Sequence, residues 1–295
     1  ALMAFRLETF STDFWGSPTL GSVLDQVKGT MLVTVWVFIG IEGANVCSAR
    51  AQNRADVGRA TLLGFGITLL LLMGVSLLSL GILPQVELAG LKNPSMAALL
   101  EKIAGPWGGA FISIGLLISV GGALLAWTLL AAETLFTPAN DAVMPRFLTR
   151  QNAAGVPSNA LWLTNGLVQL FLLLTLFSKA TYLALITLAT SMILVPYLFS
   201  AVYAVLAARR GEGYVREPGA QARDAGIGAV ALLYCGWLVY AAGLKYLLLS
   251  SLLYVPGVLL YLLARRERAE GGPLLQPFEW AIAAVLAALA AVAAY

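Results

Sequence analysis

A carboxylate between two glycines stands in the middle of an apolar run, Trp36-Val37-Phe38-Ile39-Gly40-Ile41-Glu42-Gly43-Ala44-Asn45. A charged residue at the centre of a membrane helix costs on the order of 2.5–3.5 kcal/mol on insertion scales. Glycine is about 1 kcal/mol worse than alanine inside a helix. Two readings accommodate such a segment. In one, the helix is broken or unwound beside a polar cavity, the construction in which membrane transporters hold their solutes. In the other, Glu42 is neutralised or paired with a neighbour, and the glycines only let another helix approach closely.

Three further residues are placed where chemistry is conceivable. Trp127 lies deep in a run with Ser113, Ser119, Gly121, Gly122 and Thr128, too far from either end for an ordinary interfacial anchor. It is either a core aromatic or the wall of a cavity. Glu133 follows in the same run as a gate or a helix-end charge. Pro196-Tyr197 interrupts another apolar run; proline removes a backbone hydrogen bond and frees a carbonyl. Tyr197 beside it is a cavity gate or a packed aromatic. The chain has no histidine, which removes His-based acid–base catalysis and His metal ligands. Cys47 and Cys235 lie far apart in apolar runs and read as small buried hydrophobes. Neither a phosphate-binding glycine loop nor a metal-ligand spacing is present, so no cofactor, metal or nucleic acid is expected.

The elements that carry these residues follow from composition. Of 295 residues, 60% are hydrophobic and 11% charged, against roughly 25% charged in a soluble domain. Several apolar runs approach the roughly 20 residues that cross a hydrocarbon core, and their Leu, Ala and Gly content favours helices over barrel strands. The fold class is an all-α integral membrane protein of about seven to eight transmembrane helices. The runs are Met31–Ser48, Thr61–Leu83, Gly108–Phe136, Asn159–Phe177, Ala180–Ala208, Ile227–Ala242 and Leu247–Ala264, with Phe278–Tyr295 as a peripheral eighth. A short amphipathic interfacial helix is expected after Pro94, with Ser95 as its N-cap. Polar connections with short helical pieces fill Pro138–Pro157.

Twelve basic residues (Arg50, Arg54, Arg59, Arg146, Arg150, Arg209, Arg210, Arg216, Arg223, Arg265, Arg266, Arg268) fall in alternate connections. Six (Arg6, Lys28, Lys92, Lys102, Lys179, Lys245) fall on the other side. The excess assigns the first group to the cytoplasm. Residues 1–29 then form an extracellular segment, 30–268 a transmembrane core, and 269–295 an additional C-terminal helix. Ala1–Arg6 is too short and too weakly patterned for a signal peptide and reads like the tail of a preceding hydrophobic segment, as in a fragment.

The run Val33-Thr34-Val35-Trp36-Val37-Phe38-Ile39-Gly40-Ile41-Glu42-Gly43-Ala44 resembles the sixth transmembrane helix of basic amino acid/polyamine antiporters of the amino acid–polyamine–organocation superfamily. The likeness continues through Ala126-Trp127-Thr128-Leu129-Leu130-Ala131, Val195-Pro196-Tyr197-Leu198 and Leu233-Tyr234-Cys235-Gly236-Trp237, covering about Thr9 to Arg268. Asp13-Phe14-Trp15-Gly16 and the Ser48–Thr61 loop look most like the arginine/ornithine branch. The resemblance implies a partial transporter fold comprising family helices six to twelve. It implies that Trp36 closes over the substrate from outside and that Ile39 touches its aliphatic part. Gly40 would lie in the break that holds the substrate's backbone groups, and Trp127 would stack on a guanidinium. Glu42 and Tyr197 would close the path toward the cytoplasm. A desolvated cation over an indole gains about 2 kcal/mol or more without a permanent ion pair.

In that family a second glycine-rich break, in the first transmembrane helix, completes the site. Nothing in this chain resembles the first five helices, so missing N-terminal helices or a partner chain are expected to supply them. Family members are commonly dimers, and the resemblance carries homodimerisation with it. The expected activity is exchange of a cationic amino acid, arginine- or ornithine-like, by alternating access in the cell (inner) membrane, driven by substrate gradients because no ATP-binding motif is present. The competing expectations are a proton-coupled symporter in which Glu42 titrates and a truncated membrane protein that does not transport. An intramembrane enzyme built on Glu42 and Glu133 lacks a partnering His, Cys or metal set.

Overall fold

The computed structural model describes residues 4–11, 21–46, 48, 51–177, 182–211, 218–268 and 273–294. Among them are twelve α-helices and no strand: α1 Leu7–Ser11, α2 Val23–Phe38, α3 Gly43–Val46, α4 Arg54–Leu80, α5 Gln85–Ala89, α6 Ser95–Ala104, α7 Pro106–Asn140, α8 Ser158–Leu176, α9 Tyr182–Arg210, α10 Pro218–Ala242, α11 Leu244–Arg266 and α12 Pro277–Ala294. A 3-10 turn at Arg146–Thr149 lies between α7 and α8. Cys47, Asp13–Gly16, Arg50, Lys179 and Arg216 lie outside the described residues.

Seven stretches are long and apolar enough to cross a membrane, the first running through α2 and α3 from Val23 to Val46, while the α12 segment is shorter. The apolar side chains face outward: Leu62, Leu70, Leu117 and Ile118 are each more than 70% exposed. A soluble protein does not carry a surface of this kind; lipid solvates it. The chain is a multi-pass membrane protein.

The helices agree with the expected runs, and most begin earlier. Met31 was the expected start of the first span, yet α2 opens at Val23, with Asp25 in its first turn, where an acidic group favours the helix dipole. Likewise α10 starts at Pro218 rather than near Ile227, because proline suits the first helical position. Ser95 is the first residue of α6 and not its cap; Pro94 holds the cap position with an extended backbone and no side-chain cap bond. Cys235 is buried, as expected of a small hydrophobe.

The chain divides into two compact units. One comprises Ala1–Val23, Gly40–Leu135 and Asn152–Asn165. Within it α3 packs on α4, and the chain before α1 returns to the end of α4, where the Arg6 N–H donates to the Gly81 carbonyl at 2.8 Å. Lys102 of α6 donates to Glu87 of α5 at 2.6 Å.

The other unit comprises Leu24–Ile39, Phe136–Gln151 and Gly166–Tyr295. Here α9 packs along α10 and α11, and α11 along α12. Its core is Leu32 of α2, Leu194 of α9, and Leu238 and Ala242 of α10, with Met31, Val35 and Val239 against them. Four hydroxyls are buried in α9 and α11, Thr190, Ser191, Ser250 and Ser251. Each donates to a carbonyl one turn back in its own helix, so small polar residues line the contact without leaving a donor unsatisfied.

Candidate functional site

The first span is discontinuous. Helix α2 ends at Phe38, four residues follow without helical geometry, and α3 takes up the chain at Gly43. The last turn of α2 tightens as the Ile39 N–H reaches both the Val35 carbonyl at 3.1 Å and the Trp36 carbonyl at 3.2 Å. Gly40 then adopts φ 110°, a conformation that side chains with a Cβ rarely adopt. A helix cannot continue through it. On the far side the Glu42 carbonyl accepts the N–H groups of Asn45 at 2.8 Å and Val46 at 3.1 Å, and the Gly40 carbonyl accepts Gly43 N–H at 3.0 Å.

The carboxylate of Glu42 closes the break on itself. Its Oε2 accepts the Gly40 N–H at 2.8 Å, giving an acceptor to a backbone donor that α2 has ceased to satisfy. The carboxyl group thereby removes one of the costs of unwinding the backbone inside an apolar span. This joins the two expected features, a charge and a helix break, into one local structure.

Helix α7 lies beside this break within the same unit. A Cβ added at Gly40 would stand 3.1 Å from Cζ2 and 3.5 Å from Cη2 of Trp127, and one at Gly43 would stand 3.9 Å from both δ-carbons of Leu130. Trp127 and Leu130 are three residues apart and share a face of α7. Gly40 therefore lets the unwound backbone approach the indole edge more closely than a residue with a Cβ would without a shift of the ring, whereas Gly43 is in ordinary contact range of Leu130. Trp127 itself is 44% exposed, so the ring is only partly covered. Glu133, partly buried on the same helix, lies nearly two turns further on and has bonding partners of its own.

Of the seven residues expected to form a site, Gly40, Glu42, Trp127 and Glu133 belong to this unit. The first three are brought together directly. Trp36, Ile39 and Tyr197 belong to the other unit. There Val35, next to Trp36, packs on the cluster containing Leu194, which lies three residues before Tyr197. Trp36, Ile39 and Tyr197 are all partly buried.

One residue escaped the sequence reading. Pro196 lies inside α9, and the carbonyl it cannot bond is that of residue 192, four positions earlier. The hydroxyl of Tyr254, on α11, donates to the Met192 carbonyl. The proline and its remedy are 58 positions apart on different helices, with no local pattern linking them.

The family model described as "Amino acid permease" matches residues 1–274. The chain is 51% identical over 302 residues to the arginine/ornithine antiporter of Pseudomonas aeruginosa, covering 100% of this chain and 62% of that protein. It is 41% identical over 302 residues to the L-lysine transport protein of Corynebacterium glutamicum, covering 97% of this chain and 60% of that protein. To the arginine/agmatine antiporter of Chlamydia felis it is 39% identical over 269 residues, covering 89% of this chain and 55% of that protein. The match thus spans 55% to 62% of the length of these relatives.

Proposed function

Because this chain belongs to the amino acid permease family, we propose that it works in the exchange of cationic amino acids of the arginine/ornithine type by alternating access across the cell (inner) membrane. The observation that carries the reading is the break at Gly40, tied by Glu42 and set against the half-exposed ring of Trp127. An unwound backbone at bilayer depth offers amide and carbonyl groups to a zwitterion's backbone. An indole beside it offers a cation an attractive but uncharged surface. A carboxylate pairing directly with the substrate cation would hold it more tightly; here Glu42 is engaged by the main chain instead.

In this reading Ile39 and Gly40 flank the bound amino acid, Trp36 covers it from outside, and Trp127 stacks on its cationic end. Glu42, Tyr197 and Glu133 gate the path toward the cytoplasm, and no bond-making chemistry is assigned to either carboxylate. The residues before α2 lie outside, the spans from α2 to α11 form the core corresponding to family helices six to twelve, and α12 adds a helix. A second glycine-rich break completes the grip on the substrate, and the assembled transporter is a homodimer. The names of the relatives support the substrate class, since they mention arginine, ornithine, agmatine and lysine.

Counterflow in proteoliposomes holding the full-length protein tests the proposal. Labelled arginine should enter only when ornithine or arginine is inside. Trp127→Leu should reduce that uptake at least about tenfold, the loss expected from about 1.4 kcal/mol of cation–ring attraction, with unchanged protein in the membrane. Uptake by Trp127→Leu equal to that of the native protein would refute the stacking role. Entry into empty vesicles driven by a pH gradient would replace exchange with symport.

A further inference from the structure

Where the C-terminal ends of α7 and α11 meet the Arg146–Thr149 turn, the unit they share contains a cavity of about 660 Å³. Arg146, Arg268 and Glu267 are its charged lining residues. The carboxylate is already committed, because Glu267 Oε2 accepts the backbone N–H of Arg146 at 2.7 Å and fixes the turn to the end of α11. Neither guanidinium has a carboxylate within ion-pair distance among the described residues. Arg268 is half satisfied: Nη2 donates to the Ala139 carbonyl at 3.2 Å, while Nη1 is buried with no hydrogen-bond partner. A buried charged donor without an acceptor is disfavoured. At the cavity's edge Ala142 takes φ 72°, so a residue with a Cβ is held in the left-handed region where the chain leaves α7.

The ligand this arrangement selects is anionic. Two guanidiniums against one engaged carboxylate leave a positive cavity, unfavourable to a cationic amino acid. Arginine's fork of donors matches phosphate oxygens. Because α7 and α11 are both long and apolar enough to cross a membrane, the end they share belongs to one side of it, where basic pockets meet anionic lipid. The volume is far more than an inorganic phosphate fills. We propose that this cavity binds the phosphate of an anionic phospholipid headgroup, gripped by Arg146 and Arg268.

Native mass spectrometry of the full-length protein tests this after delipidation and titration with phosphatidylglycerol, phosphatidylcholine or inorganic phosphate. The native protein and the control Arg266→Gln, which alters a charge outside the cavity, should each retain phosphatidylglycerol over phosphatidylcholine. Arg146→Gln/Arg268→Gln should retain it about tenfold less. Arg146→Gln alone removes an exposed side chain while keeping the backbone bond to Glu267. It should therefore fold and still lose affinity. Equal retention by native and variant proteins, or equal retention of phosphatidylcholine, would overturn the proposal. Displacement of the lipid by millimolar inorganic phosphate would assign the cavity to the free anion instead.

Discussion

Replacing Gly40 by alanine strikes the helix break in two separable ways. At φ 110° a residue with a Cβ is strained by about 1–3 kcal/mol. The new methyl would also lie 3.1 Å from Cζ2 of Trp127, closer than ordinary contact, and overpacking of this order costs about 1–3 kcal/mol. Gly40→Ala should therefore destabilise the protein by about 2–6 kcal/mol, measured by denaturant unfolding in mixed micelles. The second component depends on the indole and the first does not. In a Trp127→Ala background the steric component disappears, so the double variant should be more stable than the sum of the two single losses by about 1–3 kcal/mol. Strict additivity would refute the contact between the unwound backbone and α7. A neutral Gly40→Ala would refute the glycine-only conformation, and with it the break.

The same logic applies to α9. Tyr254→Phe should cost about 1–3 kcal/mol by leaving the Met192 carbonyl without its donor. In a Pro196→Ala chain, where the helix can bond that carbonyl itself, the same change should be nearly silent; equal losses in both backgrounds would contradict the pairing of proline and tyrosine. At the break, Glu42→Ala removes the acceptor of the Gly40 N–H and should cost about 1–3 kcal/mol. Glu42→Gln keeps a carbonyl oxygen in place and should stay within about 1 kcal/mol of the native protein; the reverse order in the same unfolding assay would show that the bond does not support the break.

How much of this could be read from residues depended on whether the signal was local. Glu42 between Gly40 and Gly43 announces its own discontinuity, since three unfavourable residues within four positions are tolerated only where the backbone leaves helical geometry. The apolar runs likewise announce their spans. The start of α2 at Val23 was hidden because Asp25, Gln26 and Lys28 lower the hydropathy of a turn that is helical all the same. Arg223 and Asp224 hide the beginning of α10 in the same way. Ser95 carried the usual preference for a cap, but the proline before it took the position. Nonlocal matches had no trace in sequence: the bond from Tyr254 to Met192 and the approach of Gly40 to Trp127 depend on which helices become neighbours. Family resemblance singled out Gly40 and Trp127 but not the contact between them. It did not single out Tyr254.

Thiol accessibility at the break is the most direct test of a solvated, substrate-binding discontinuity. In full-length protein with every native cysteine replaced by serine, Cys47 and Cys235 included, Ala44→Cys should react with a membrane-impermeant methanethiosulfonate reagent. Arginine should slow that reaction in proportion to its occupancy, and leucine should not. A cysteine there that never reacts, or that reacts at the same rate with and without arginine, would contradict the account.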